Sequence, residues 1–305
     1  MTLQADLYAH LEARGYRGRM VAIEHLPELY RAITDLRDQR LLDETFYQDR
    51  LSWLHQQLPE ELPDARALIV LSRPDPRTDF IFHWKGERRV FSVPPAYQNW
   101  REKLDHGQQA LAEALEPAGW RVAPLNVPKK RLAVCSGLAA YGKNNVTYVE
   151  GWGSYHNLTT FCTDMPCEVD EWRAPVTMAR CETCQACARA CPTGAIGSDR
   201  FLLHGERCIT YHNENGFEVP FPAWIDPAWH TSLVGCMHCQ TACPENRSAG
   251  LGVALGGEFD EAETRRLVEY APGVELPGEL VEKLRQADML DAMDALPRNL
   301  SALLG

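Results

Sequence analysis

Apolar positions recur at three- and four-residue spacing over residues 3–14 and 26–41, which predicts two amphipathic helices. The run ALIVLS, Ala67 to Ser72, is short and apolar and predicts a buried strand. FIFHW from Phe80 and RRVFSV from Arg88 pair as a hairpin, with the turn-rich RPDPRTD separating them from the first strand. Residues 97–115 read as helix, and Trp120 to Val127 as a strand stopped by Pro128. The helix-like KKRLAVCSGLAA is followed by strand-like VTYVE, the glycine turn GWG and SYHNLTTF. A last amphipathic helix is expected from about Pro277 to Ala295. Helices and strands mix without a strict βαβ rhythm, so the fold class expected is α+β.

Composition narrows this little. The 305 residues are 45% hydrophobic and 24% charged, ordinary for a globular chain with a core. No apolar run approaches about 18 residues, so no membrane span is expected. The first residues lack a basic stretch followed by an apolar block, so a cytoplasmic protein without a signal peptide is expected. The net charge of −11 argues against a phosphate-backbone binder, so nucleic acid is not an expected partner.

Cysteine changes the picture. Eleven is an odd number in a chain this long, which fits a disulfide scaffold badly. Cys181, Cys184, Cys187 and Cys191 follow C-x2-C-x2-C-x3-C-P, the bacterial ferredoxin run whose fourth cysteine serves the other cluster. Cys208, standing alone, and then Cys236, Cys239 and Cys243 repeat the pattern with the first ligand moved away. Short spacers let one turn present several sulfurs and several backbone N–H groups to one anionic cluster. The expected ligand sets are Cys181, Cys184, Cys187 and Cys243 for one [4Fe–4S] cluster, and Cys208, Cys236, Cys239 and Cys191 for the other. Zinc is the competing reading, but four cysteines within eleven residues suit its two separated pairs poorly. Cys135, Cys162 and Cys167 read as ordinary thiols.

The stretch Leu132 to Pro166, placed before the double cluster motif, resembles epoxyqueuosine reductase and, more distantly, the reductive dehalogenases. The carrying residues are Ser136-Gly137-Leu138-Ala139, Gly142-Lys143-Asn144, Gly153-Ser154 and Thr163-Asp164-Met165-Pro166. The resemblance implies a nitroreductase-like, cobalamin-binding type of domain over residues 1–173. The cysteine spacing predicts a bacterial ferredoxin-like domain with two [4Fe–4S] clusters over 174–247, and the tail over 248–305 reads as a short helical cap. The resemblance also implies electrons passing through both clusters to a cobalamin, supplied by a redox protein such as a ferredoxin or flavodoxin. The chain departs from the family in three places. Ala123 falls, in an ungapped alignment, where the family has its proton-donating aspartate. VPPAYQNW, Val93 to Trp100, replaces another family segment, and the tail is short and acidic. These departures predict a small-molecule substrate in place of tRNA. The alternatives are an electron-transfer module for a protein partner, without cobalamin, and the tRNA-acting epoxyqueuosine reductase itself.

Candidate proton donors are Tyr141, Tyr155 and His156, which flank glycine turns. Candidate cofactor-binding residues are Lys143, Gly142, Ser154 and Asn126. Each has a plainer reading as a turn or packing residue.

Overall fold

The structure, a computed structural model, describes residues 2–54, 56–197 and 200–305. In chain order the elements are α1 (Leu3–Ala13), β1 (Arg17–Ala22), α2 (Leu26–Asp38), α3 (Glu44–Arg50), β2 (Ala67–Pro74), β3 (Thr78–Trp84), β4 (Glu87–Val93), α4 (Trp100–Leu115), β5 (Val122–Pro124), α5 (Lys129–Cys135), β6 (Ala140–Tyr141), β7 (Thr147–Tyr148) and β8 (His156–Thr163). There follow α6 (Ala186–Ala190), α7 (Ile209–Asn213), α8 (His238–Thr241), α9 (Pro244–Ala249), β9 (Ala254–Phe259), α10 (Glu261–Val268), α11 (Gly278–Gln286) and α12 (Leu296–Leu304). The mixture is α+β, as the patterning predicts.

The central sheet is antiparallel, in the order β1-β2-β8-β5. Its inner strands are buried on both faces, which is why ALIVLS is apolar throughout. Successive side chains point to opposite faces. Leu68, Val70, Leu158 and Cys162 pack with residues of α2 and α5, and Ala67, Ile69, Leu71 and Phe161 pack with α1 and α4. The element the helical pattern concealed is β1, whose RGRMVA carries three polar or glycine positions but closes the sheet edge against β2.

The expected hairpin is β3–β4, and it continues into a second sheet in the order β4-β3-β9. The tail therefore adds a parallel strand as well as helices. Phe80, Phe82 and Phe259 share one core with Leu267, Leu284, Leu296 and Leu300 of α10 to α12. Asp260 opens α10 with a capping box to Glu263.

Residues 174–247 differ in texture. Their helices α6, α7 and α8 are five, five and four residues long, joined by turns. Leu233 is the one residue of this stretch among the buried members of the three apolar cores described. No helix among the described residues is long and apolar enough to cross a membrane.

Candidate functional site

The eight motif cysteines gather into two crossed groups. Cys181 lies in the field of Cys243 and Cys184, and Cys187 in that of Cys181 and Cys243. Cys208 faces Cys191, Cys236 faces Cys208 and Cys191, and Cys239 faces Cys236 and Cys208. Cys191 has thus left its sequence neighbours for the second group, and Cys243 has joined the first. Each fourth cysteine has extended backbone beside a short helix: Cys191 caps the end of α6, and Cys243 caps the start of α9, which Pro244 opens. Among the described residues no three His, Cys, Asp or Glu side chains converge closely enough for a single metal ion.

Burial pushes these thiols up: Cys236 to about 12, Cys239 further, and Cys181, Cys187 and Cys208 in the same direction. Bare thiolates are thus disfavoured here unless a cation compensates. Opposing burial, backbone N–H groups point at sulfur. Lys143 donates to Cys181, Ala188 to Cys187, Thr210 and Tyr211 to Cys208, and His238 to Cys236. Soft thiolate donors ringed by N–H groups fit an anionic iron–sulfur cluster.

A cavity of about 750 Å³ opens beside the second group, and Cys191, Cys208, Cys236 and Cys239 all line it. Its other walls come from α3 (Phe46, Arg50), the segment after β4 (Pro94 to Tyr97), the start of α5 (Lys129, Lys130) and the start of β8 (His156, Leu158). Asp75 fixes the segment after β4, accepting the Ala96 N–H at 2.8 Å and pairing with Lys103 at 2.6 Å. Lys129 and Lys130 line this cavity at its solvent-exposed side. Burial pushes both pKa values down, and their mutual repulsion lowers that of Lys129 further. Glu214, Cys208 and Cys239 are the negative groups facing Lys130. Glu214 accepts a hydrogen bond from the Tyr97 hydroxyl and lies 3.5 Å from Arg50. Burial pushes its carboxyl pKa up against both partners, so Glu214 keeps its proton to a higher pH than a free carboxyl.

The residues singled out from sequence take different places. His156 and Ser154 line the cavity, whereas Tyr141, Tyr155, Lys143, Gly142 and Asn126 do not. His156 Nδ1 bonds Ser72 Oγ at 2.9 Å and Nε2 donates to the Thr147 carbonyl at 3.1 Å, so both ring nitrogens are committed. Tyr141 packs edge-on against Phe201, and burial pushes its hydroxyl up to about 12. Tyr155 is half-buried near Arg77 and Cys243. Lys143 reaches the first thiol group through its backbone N–H. Asn126 lies at a separate pocket of about 280 Å³ with Trp53, Leu54 and Pro124, and its carbonyl accepts from Tyr30.

The Gly153-Ser154 turn is a joint between regions. The Ser154 N–H donates to Asn246 Oδ1 at 2.7 Å, and the Ser154 hydroxyl donates to Gln240 Oε1 at 2.8 Å. Gly153 has φ +60°, and a Cβ there would lie 2.3 Å from Asn246 Oδ1. A side chain would push the cluster motif off the sheet. Sequence reading missed Arg50, Tyr97 and Glu214, whose side chains meet only in three dimensions. The Lys129-Lys130 doublet was visible, but as an ordinary helix start.

Comparison with known proteins places this site. Residues 180–246 match the model of a 4Fe-4S double cluster binding domain. The chain is similar to epoxyqueuosine reductases. It is 34% identical over 212 residues to that of Alicycliphilus denitrificans, covering 64% of this chain and 57% of the relative. It is 28% identical over 201 residues to that of Aliivibrio fischeri, covering 63% and 53%. The chain thus spans a little over half the length of these curated relatives. The fold is also that of an epoxyqueuosine reductase solved with an epoxyqueuosine-modified tRNA-Tyr stem loop, at TM-score 0.64 and 19% identity, over 99% of this chain and 80% of that one. These findings correct two expectations: a small-molecule substrate reduced through cobalamin, and the exclusion of nucleic acid. The charge argument failed because −11 is a whole-chain sum, whereas Arg50, Lys129 and Lys130 are concentrated at one cavity.

Proposed function

We propose that this chain is an iron–sulfur reductase of the epoxyqueuosine reductase kind, acting on the modified nucleoside within tRNA. The carrying observation is the cavity that joins one cysteine group to three cationic side chains. Cys181, Cys184, Cys187 and Cys243 hold an outer cluster. Cys191, Cys208, Cys236 and Cys239 hold an inner one at the cavity wall. An external one-electron donor protein reduces the outer cluster, and electrons pass inward.

Reducing an epoxide to an alkene takes two electrons and two protons, breaks both C–O bonds and releases water. Glu214, whose burial favours the protonated form, and Tyr97, bonded to it, are the groups at this wall that can carry a proton. They take the place of Tyr141 and Tyr155, which lie elsewhere, and of His156, whose ring is engaged. Arg50, Lys129 and Lys130 attract the polyanion and steady phosphate oxygens. Cobalamin remains part of this proposal, supported by the polar wall of Thr147, Ser154 and Gln240, which offers amide and hydroxyl groups to an amide-edged ring. When bound it supplies a cobalt able to accept single electrons.

The test uses tRNA from a strain deficient in this step, with the iron-loaded chain, added cobalamin and a chemical reductant. Nucleoside mass spectrometry is expected to show conversion to queuosine. Unconverted tRNA with a fully loaded, reducible protein would overturn the assignment. A changed cobalamin spectrum on mixing tests the cofactor separately.

A further inference from the structure

Between the two cysteine groups lies a hydrogen-bonded pair that the reading above leaves without a role. Asn144 and Tyr148 are 3% and 5% exposed. The Asn144 amide, Nδ2, donates to the Tyr148 hydroxyl at 3.1 Å. The same side chain lies within reach of the Cys239 sulfur, and the Tyr148 hydroxyl within reach of the Cys243 sulfur. The Asn144 carbonyl oxygen accepts the Val146 N–H at 3.3 Å, which fixes which end of the amide faces the sulfur. Asn144 and Tyr148 thus form a hydrogen-bonded link whose two ends face Cys239 and Cys243.

The local backbone is shaped for this pair. A Cβ at Gly142 would lie 2.4 Å from the Tyr148 ring and 2.6 Å from Asn144 Oδ1. Gly142 therefore serves as the floor on which the pair rests. β6 and β7 pair Tyr141 with Thr147, so the intervening turn brings Asn144 and Tyr148 together at its tip and base.

Cys239 and Cys243 are four residues apart, yet they belong to different groups. We propose that Asn144 and Tyr148 are positioning residues that bridge the two clusters, one donating N–H to a ligand of the inner cluster and the other O–H to a ligand of the outer. The inference rests on the crossed ligand assignment proposed above. A donor on a cluster ligand offsets the charge gained on reduction and raises the potential. The pair therefore sets the difference in potential across the step between the clusters. In that step one electron leaves the outer cluster, which is oxidised, and enters the inner, which is reduced. No bond is made or broken, and the electron originates from an external low-potential one-electron donor.

The experiment is an anaerobic redox titration of the full, iron-loaded chain, followed by electron paramagnetic resonance. Tyr148→Phe removes one oxygen and keeps the ring. It is expected to hold full iron and sulfide while the outer cluster becomes about tenfold harder to reduce, about 59 mV for one electron. Asn144→Ser is expected to move the inner potential the same way. Tyr30→Phe, which alters a remote hydroxyl bonded to Asn126, is expected to move neither. An unchanged outer potential in iron-replete Tyr148→Phe overturns the proposal whatever Asn144→Ser does. Iron loss from Tyr148→Phe also overturns it, because the hydroxyl would then be holding a ligand in place. Failure of the unaltered chain to hold iron is a different result, since it removes the ligand assignment before any variant is compared.

Discussion

The central sheet and the cysteine region are built on opposite principles. The sheet buries Phe161, Leu68, Ile69 and Leu71 completely, with helices on both faces. Area removed from water stabilises it, at about 25 cal/mol per Å². The cysteine region has short helices, and Leu233 is its one buried member of the apolar cores described. Its other buried apolar side chains, among them Ile196, Ile209, Ile225 and Met237, lie outside those cores, so water exclusion stabilises this segment less than the sheet. The difference predicts that the sheet region folds on water exclusion and that the cysteine region depends in addition on its ligands.

Removing iron is the largest way to break the comparison. Anaerobic chelation is expected to abolish amide-exchange protection across residues 174–247 while β2 and β8 stay protected, because ligand binding and folding are coupled in the first region only. Equal loss in both, read by hydrogen-exchange mass spectrometry, would contradict it. The converse perturbation is Phe161→Ala, in the fully buried strand β8. It is expected to cost about 3–5 kcal/mol of sheet stability in denaturant titration, with iron per folded molecule unchanged.

At the seam between the halves, Glu214→Gln is expected to lower turnover about 100-fold, the low end for a lost general acid. Because burial raises the Glu214 pKa, turnover of the unaltered protein should hold at low pH and fall as pH rises through that raised value. The Gln variant should lack this limb. A pH profile of both proteins, at constant iron loading, checks the sign.

The smallest effect concerns the strap from sheet to cysteine region. His25 stacks on Trp172 at 4.3 Å and bonds Glu28 and Asp170 at 3.0 and 2.7 Å. Burial pushes the His25 pKa down, but the hydrogen bonds to Glu28 and Asp170 outweigh it and the net shift is upward. Its folded value exceeds its unfolded one, so the stabilisation is full below about 6.5 and is lost as pH rises through the folded value. His25→Gln should therefore cost about 0.5–1 kcal/mol at pH 5.5 and little at pH 9, measured by thermal unfolding of the iron-loaded chain.

Local pattern alone was enough for α1, α2, β2, α4 and the β3–β4 hairpin, because the helices have an apolar face, β2 is apolar throughout and the hairpin strands are bounded by turn residues. β1 escaped because Arg17, Gly18 and Arg19 interrupt its pattern at a sheet edge, and β9 because ALGGEF is mostly glycine and polar. The cysteine spacing declared the double-cluster motif, since turn geometry ties ligand spacing to cluster size. The substrate side was not legible: Glu214, Tyr97, Arg50 and Lys130 come from four distant segments with no shared period.

What the sequence determined by itself was therefore local: apolar stripes, turns and thiol spacing, each encoded within a few residues. The tertiary structure alone decided which thiols face each other, that β3 takes β9 as a partner, and that cations from an acidic chain collect around one cavity. Those outcomes depend on distances between segments far apart in the chain, and no short-range pattern encodes such distances.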